Sequence, residues 1–381
     1  MSVTPLSSTH PPLPPTTEDE KISRLRLLRS RRVGIATYYR LMSEHGSAKD
    51  ALLALPEIAR AAGVENYTPC PEDAALREMR LGQKAGACLI FFHDPDYPER
   101  LADLPDAPPF LWAKGDISLL NRPTIAVVGA RNASSLGMRM ARRLSKELAE
   151  NGYGIVSGLA RGIDTAAHQA ALESGSIAVL AGGIDIIYPA ENADLAANLA
   201  RKGCLVAEQP PGTEPVARHF PIRNRVISGL AQAVVVVEAA EKSGSLITAR
   251  NALDQGREVL AVPGHPIDAR AGGCNLLIRD GATLIRNAND VIEALSPLQS
   301  PLPLNRPAPE EPEKETGKPL RSIGQLHRHI LNSLGPSPLA EDQLIRDLKA
   351  PSGVVTPALT ELELDGKILR HPGGLWARIT A

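Results

Sequence analysis

The chain has few aromatic residues, few cysteines and no excess of charge of either sign. Its 381 residues include six tyrosines, four phenylalanines and two tryptophans, and its formal net charge is -1. Because nucleic acids are attracted by clustered cations, this balance excludes a globally basic nucleic-acid-binding protein and requires any such site to be local. The cysteines form no CxxC pair, which argues against structural zinc and indicates a reducing compartment. They are Cys70, Cys88, Cys204 and Cys274.

Long apolar runs are also missing. No segment reaches the roughly 20 apolar residues that a membrane span needs. The first fifteen residues contain five prolines and lack both the basic and the apolar region of a secretory signal. We therefore expect no membrane span and a cytoplasmic location.

The two ends of the predicted globular core are marked by proline. Residues 1–20 are polar and Pro-rich, and we expect a disordered tail. Residues 297–320 are rich in Pro and Glu, and we expect a stiff, extended linker.

Residues 21–115 have apolar side chains at helical spacing. Val33–Met42 and Ala51–Ala59 each show the three-to-four periodicity, and His45-Gly46-Ser47 interrupts it. This pattern predicts an N-terminal helical domain over residues 21–115.

Residues 116–296 alternate between short apolar runs and helical stretches. Short, uniformly apolar runs separated by helices are typical of buried parallel strands. The pattern therefore predicts an α/β domain with a doubly wound sheet of about six strands, ending near Leu295. The predicted strands are Thr124–Val128, Gly154–Val156, Ile177–Leu180, Cys204–Ala207, Ala233–Val237 and Glu258–Val262.

Residues 321–381 predict three helices and a hairpin, the order of a winged helix with His371–Gly374 as the wing. The third helix carries Glu361 and Glu363 and is followed by Asp365. A helix that enters the phosphate-lined major groove is normally basic. We therefore expect this domain to bind protein, or little at all, rather than a DNA sequence.

The loops after the predicted strands carry the candidate binding residues, because ligands of doubly wound folds bind beyond the carboxyl ends of the strands. Gly129-Ala130-Arg131 follows the first strand and places a cation there. Phe220–Asn224 and Lys242–Thr248 each begin a predicted helix. Helix N-termini present free backbone N–H groups, so these segments predict an anion-binding site at one edge of the sheet.

Asp164 and His168 lie four residues apart on one predicted helix. This spacing suits metal ligation or acid-base chemistry, but no third ligand or partner is evident. We therefore expect Asp164 to act as a charge at the helix N-terminus and His168 to be a packed polar residue. We expect no metal site.

Familiar catalytic and cofactor motifs are missing. The chain has no GxxxxGK[ST] and no GxSxG, and Ser157-Gly158 stands where a dinucleotide fold carries a ribose-binding carboxylate. We therefore expect no cofactor and a binding protein rather than an enzyme. With only Tyr153, Tyr188 and Phe220 as aromatic residues in the sheet domain, a nucleic-acid site must rely on phosphate contacts. Single-stranded DNA bound without sequence preference fits that balance.

Seven motifs over about 160 residues resemble, in the same order, those of the DNA-processing protein A family, also called DprA or Smf. Ala130 stands where the family commonly has Ser. The motifs are Gly129-Ala-Arg131, Ser157–Asp164 with Ala167-His168, Tyr188-Pro-x-x-Asn192, Phe220-Pro-x-Arg-Asn-Arg225-x-Ile, Lys242–Ala249, Gly256–Gly264 and Asn275–Ala282.

The resemblance implies an extended Rossmann-like fold flanked by a SAM-like helical domain and a winged helix, and a homodimer formed through the Rossmann-like domain. It implies a protein of natural transformation that binds and protects incoming single-stranded DNA and helps to load the RecA recombinase. It also implies a DNA-binding pocket, made of Arg131, Phe220, Arg223, Asn224, Lys242, Ser243, Gly244 and Ser245.

Two other functions remain open. A phosphoribohydrolase-like, nucleotide-processing enzyme would need a catalytic Glu beside a Gly-Gly-x-Gly-Thr turn, where this chain has Ser243-Gly244-Ser245. A winged-helix regulator would bind duplex DNA through the acidic third helix. Within the pocket, Arg223 has a structural alternative, as the partner of Glu238 or of a helix end.

Overall fold

The computed structural model describes residues 17–296, 323–335, 338–348, 350–371 and 374–379. The chain divides into two units, residues 1–300 and 301–381, and each is described by itself. Most of the predicted tail and the whole predicted linker lie outside the described residues. The prediction that the tail extends to residue 20 is wrong at its end, because the first helix already begins at Glu18, with Thr17 as its N-cap.

Four helices open the first unit: α1 (Glu18–Arg29), α2 (Ile35–His45), α3 (Ala48–Ala61) and α4 (Glu72–Lys84). The predicted break between α2 and α3 is confirmed. Gly46 ends α2 in the left-handed conformation, with φ of 74°, and the Ser47 hydroxyl accepts a hydrogen bond from the Asp50 N–H at 3.1 Å. Glycine adopts this conformation without strain, and serine is a preferred N-cap, so the short break follows from these two residues.

A nine-stranded sheet forms the centre of the first unit, in the order β1-β2-β6-β5-β4-β3-β7-β8-β9. All pairs from β6 to β9 are parallel, whereas β1 and β2 add to β6 in antiparallel fashion. The strands are β1 (Cys88–Phe91), β2 (Phe110–Gly115), β3 (Thr124–Gly129), β4 (Gly154–Ser157), β5 (Ser176–Gly183), β6 (Cys204–Gln209), β7 (Ala233–Val237), β8 (Glu258–Ala261) and β9 (Thr283–Leu284).

The six predicted strands are all present, but the predicted secondary structure of residues 88–115 is wrong. They were expected to be helical, yet they supply β1 and β2 to the sheet. The reason is long-range pairing: Phe91 lies opposite Phe110, and both are buried against α1 and α4. The short β9 was also missed.

Helices cover both faces of the sheet, as the doubly wound prediction requires. Along β3, Ile125 and Val127 face one layer and Ala126 and Val128 face the other. Helices α6, α7 and α12 pack on the first face and α9, α10 and α11 on the second. The helices after α4 are α5 (Glu99–Ala102), α6 (Ser135–Glu150), α7 (Ile163–Ala171), α8 (Ala193–Lys202), α9 (His219–Leu230), α10 (Ser245–Asp254), α11 (Gly272–Arg279) and α12 (Ala288–Leu295).

The direction of winding reverses between β3 and β7. From β3 the chain proceeds through β4, β5 and β6 on one side of the sheet, then returns to place β7, β8 and β9 on the other. Such a topological switch point opens a crevice at the carboxyl ends of the two central strands. The segments that follow β3 and β7 are therefore the ones positioned to bind a ligand.

The N-terminal helices are fixed to the antiparallel strands by a buried polar cluster. Arg29 in α1 donates two hydrogen bonds to the Glu78 carboxylate in α4, at 2.9 and 2.8 Å. The Trp112 indole N–H in β2 donates to the same carboxylate at 3.2 Å. Gly82 gives the Trp112 ring room to lie against α4, because a β-carbon there would lie 2.0 Å from a ring carbon.

The second unit has the predicted winged-helix order. Its elements are α13 (Ile323–Ser333), β10 (Leu339–Ala340), α14 (Glu341–Leu348), α15 (Ser352–Leu364), β11 (Ile368–His371) and β12 (Leu375–Arg378). The strands form a three-stranded sheet, β10-β12-β11, over a core that includes Ile330, Leu359 and Trp376. Two residues of the predicted wing, 372 and 373, lie outside the described residues. In the described parts of both units, no helix has the length and apolar character that crossing a membrane requires.

Candidate functional site

A pocket of about 620 Å³ opens at the switch point, between the segments that follow β3 and β7 and the start of α9. The structure brings all eight predicted binding residues to its wall. Gly129, Ala130, Asn132, Asp164, Thr248 and Arg270 also line it. The eight are Arg131, Phe220, Arg223, Asn224, Lys242, Ser243, Gly244 and Ser245.

The Phe220 ring lies at the centre of the cationic wall. The guanidinium carbon of Arg131 is 5.3 Å from the ring centroid, and that of Arg223 is 6.0 Å away. Both distances are within the range of cation–π attraction. Arg131 is exposed and forms no ion pair with any described residue, so its charge faces the pocket uncompensated.

Arg223, in contrast, is buried and serves the fold as well as the pocket. Its Nη1 donates hydrogen bonds to the Gly158 carbonyl at 2.6 Å and to the Val179 carbonyl, so it joins the residue after β4 to the middle of β5. Burial lowers the pKa of Arg223 to about 10, and the Asp164 carboxylate opposes that shift. The guanidinium therefore stays charged at neutral pH. The predicted structural alternative named the wrong partner, since Arg223 bonds these carbonyls and not Glu238.

Glu238 instead closes the N-terminus of α6. Its carboxylate accepts hydrogen bonds from the Ser134 N–H at 2.8 Å and from the Ser134 hydroxyl. In a dinucleotide-binding Rossmann fold, the pyrophosphate lies against the helix that follows the first strand. Here the carboxylate of Glu238, the residue after β7, occupies the Ser134 donors, which disfavours a dinucleotide at this position.

Asp164 and His168 organise the loop after β4. The Asp164 carboxylate accepts from the Gly158 and Ala160 N–H groups, at 3.0 and 3.3 Å. His168 Nε2 accepts from the Leu159 N–H at 3.3 Å, and its Nδ1 lies 2.8 Å from the Ser176 hydroxyl. Burial lowers the pKa of His168 to about 3, so the ring is neutral. His168 is thus the packed polar residue that the sequence predicted, and Asp164 binds loop amides.

The turn after β7 supplies the opposite wall. Ser243 and Ser245 hydroxyls hydrogen-bond each other at 2.6 Å, and Asn224 in α9 donates from Nδ2 to the Gly244 carbonyl at 3.4 Å. This bond couples the starts of α9 and α10. Lys242 is exposed and has no ion pair within residues 17–296, so it adds a second uncompensated cation.

Tyr188 was missed as a site residue. Its ring meets the Phe220 ring edge to face, with centroids 5.7 Å apart, and it lines an adjoining pocket of about 360 Å³ together with Arg131, Arg161 and Pro189. Tyr188 is 48% exposed. The signals were its place among the three aromatic residues of the sheet domain and the Tyr188-Pro-x-x-Asn192 motif, and neither was used to assign it to the pocket.

The fold and the pocket together define a three-part protein whose Rossmann-like domain carries a cationic, aromatic-centred pocket at its switch point. Each of these three parts matches a model of a known protein family or domain. The family described as DNA recombination-mediator protein A matches residues 88–296, the DprA-like N-terminal HHH domain matches residues 18–80, and the DprA winged helix domain matches residues 307–374.

Individual relatives give the same result. DNA processing protein DprA of Bacillus subtilis is 48% identical over 58% of this chain and 74% of its own length. That of Streptococcus pneumoniae is 39% identical over 71% of this chain and 98% of its own. The chain belongs to the DNA-processing protein A family, DprA or Smf, which is a family of DNA recombination mediators.

Two solved structures share the architecture. The X-ray structure of DNA processing protein A from Streptococcus pneumoniae superposes with a TM-score of 0.59 at 34% identity, over 72% of this chain and 96% of that chain. The DNA processing protein A of Helicobacter pylori is described for its single-stranded DNA binding mode. Its structure superposes with a TM-score of 0.51 at 30% identity, over 55% of this chain and 97% of that chain.

Proposed function

We propose that this chain binds single-stranded DNA in the switch-point pocket as a mediator of recombination. The observation that carries the proposal is the placement of Arg131 and Arg223 against one Phe220 ring, with Lys242 across the pocket. The cations pair with phosphates, and the ring offers a face to a base. The relative from Helicobacter pylori is described as binding single-stranded DNA, which supports the same ligand here.

The pocket favours binding over catalysis. The carboxylate that lines it, Asp164, already accepts from two backbone amides, and Glu238, just outside the lining, is bonded to Ser134. General acid-base chemistry needs a carboxylate or imidazole that reaches the substrate. A phosphoribohydrolase-like activity therefore has no candidate acid among the pocket residues, and we infer a binding protein without a cofactor.

Within the cell, we infer a role in natural transformation. Bound single strands would be protected from nucleases and passed to the RecA recombinase, a step that belongs to the cytoplasm. A protein that must release its DNA to a recombinase gains from binding mainly through phosphates, because such contacts are independent of sequence.

We also infer a homodimer through the Rossmann-like domain. The edge strand β9 exposes Leu284, at 43%, and the segment before α11 exposes Ile267, at 88%. An unpaired edge with neighbouring apolar side chains is a surface suited to a second copy. Light scattering of residues 88–296 at concentrations well above micromolar should give the mass of a dimer, and a monomer there would contradict this inference.

The experiment that tests the binding function compares single-stranded and duplex DNA of the same sequence over a range of salt concentrations. Tighter binding of the single strand, weakening steeply with salt, supports the proposal. Preferential binding of duplex DNA with sequence specificity would contradict it. Release of free base from nucleoside monophosphates would support the enzymatic alternative.

A further inference from the structure

A stripe of four cations runs along the outer face of α6. Arg139, Arg142, Arg143 and Lys146 are all exposed and follow the spacing i, i+3, i+4, i+7, which places them on one side of the helix. The opposite side is the buried one, formed by Ala141, Leu144 and Leu148. Together with Glu147, Glu150 and Ala170, the stripe lines an open groove of about 590 Å³.

Two of the four positive charges of the basic stripe are paired with carboxylates, and two are not. Arg143 pairs with Glu147 at 2.7 Å and Lys146 with Glu150 at 3.8 Å, whereas Arg139 and Arg142 have no ion pair with any described residue. Like charges three and four residues apart destabilise a helix. Arg139 faces Arg143, and Arg142 faces Lys146, at four-residue spacing. This repulsion would be relieved by a bound polyanion.

The basic stripe lies on the helix that begins beside the switch-point pocket, although the groove and the pocket share no lining residue. Helix α6 begins at Ser135, four residues after Arg131, and its 16 residues extend about 24 Å away from the pocket edge. Arg139 and Arg142 are the first cations of this helix, eight and eleven residues after Arg131.

We propose that α6 is a second contact surface for the nucleic-acid backbone, on which the strand continues after it leaves the pocket. The inference rests on the proposed function, since it extends the same ligand. Contact through phosphates alone fits the surface, because no aromatic side chain lines the groove. Binding by this surface should depend on strand length, whereas binding by the pocket should not.

The test uses the full chain with Arg139→Glu and Arg142→Glu combined. This variant keeps the helix, because each new Glu stands four residues before a cation, Arg143 or Lys146, which is a favourable ion-pair spacing. The matched control is Arg77→Glu with Arg80→Glu, two exposed arginines at the same three-residue spacing on α4. Binding is measured with oligothymidylates of about 6 and about 24 nucleotides, so that the short strand is near the lower end of the site sizes of about 4–16 nucleotides known for OB folds and the long strand exceeds them.

The α6 variant should bind the long oligonucleotide about tenfold more weakly than wild type, and its salt slope should fall by about 1.4, or about 0.7 for each lost phosphate contact. The short oligonucleotide should bind equally to the variant and wild type, and the α4 control should match wild type at both lengths.

Three outcomes would overturn the proposal. Long-strand affinity unchanged from the α4 control excludes α6 as a DNA surface. Equal losses at both lengths mean that the substitutions act through the pocket. Unchanged DNA binding with lost binding to phosphatidylglycerol vesicles assigns the stripe to a membrane surface. Failure of wild type to bind either oligonucleotide is distinct from these, since it contradicts the proposed function itself.

Discussion

Gly158 and Arg223 fit together in the wall of the adjoining pocket: a β-carbon on residue 158 would lie 2.7 Å from the Arg223 guanidinium, which bonds the Gly158 carbonyl. The missing side chain is what lets the buried arginine bond both the residue after β4 and the middle of β5. Arg223 therefore lines the pocket with a positive charge and also stabilises the fold.

Arg223→Ala should lower the free energy of unfolding by about 3 kcal/mol, because it leaves the Gly158 and Val179 carbonyls unpaired and removes the charge that faces buried Asp164. Chemical denaturation measures this loss. Unchanged stability would mean that Arg223 is a ligand-binding residue without a structural role.

Gly158→Ala should be destabilising by about 1–3 kcal/mol, because the added methyl group collides with the Arg223 guanidinium. Gly244→Ala is the matched control. Gly244 has φ of -61°, and nothing lies within 4 Å of an added β-carbon, so its substitution should cost less than about 0.5 kcal/mol. Equal midpoints for the two variants in thermal unfolding would refute the packing account.

The stability should depend on His168 at acidic pH. Burial lowers the pKa of His168 to about 3, against about 6.5 in the unfolded chain. Between these values the unfolded state binds a proton that the folded state does not, so stability falls as pH is lowered through this window. At pH 5 the loss should be about 2 kcal/mol relative to pH 7.

His168→Gln isolates this contribution from other buried groups. Burial raises the pKa of Asp164 and of Glu208, which gives those groups the opposite pH dependence. The difference in unfolding free energy between wild type and His168→Gln should therefore shrink as pH falls from 7 to 5. A constant difference would contradict a neutral, buried imidazole.

Removal of residues 301–381 should leave most of the affinity for single-stranded DNA. The two units separate at residue 300, and the end of α15 presents Glu361 and Asp365, which pair locally with His327 and Lys367. An acidic surface repels phosphates. Fluorescence anisotropy with the truncated and full chains measures this, and loss of nearly all binding would move the DNA site to the winged helix.

The sequence predicted the parallel strands and the pocket segments because both signals are local. The run Ala233–Val237 is uniformly apolar, and the serine turn that follows it opens α10 directly. The family resemblance indicated which residues of these segments form the binding pocket, and the structure places all eight of those residues around one pocket.

What the sequence could not predict depends on distant partners. The antiparallel strand β2 joins the sheet through pairs such as Trp112 with Ala207, 95 positions apart in the sequence, and β1 in turn pairs with β2. The Ser134–Glu238 cap joins residues 104 apart. The burial of Arg223 had a local signal, since it lies three and four residues before buried Val226 and Ile227 on one face of α9.

The central claim, that Arg131 binds phosphate and Phe220 stacks on a base, is tested most directly by salt-titrated binding of single-stranded DNA to wild type, Arg131→Ala and Phe220→Ala, with exposed Arg77→Ala as control. Arg131→Ala should weaken binding and reduce the slope of log affinity against log salt by about 0.7, since one phosphate contact is lost. Phe220→Ala should weaken binding by about 1–3 kcal/mol with the slope unchanged, because stacking releases no counterions. Equal slopes and affinities for wild type and Arg131→Ala would contradict the assignment of the pocket.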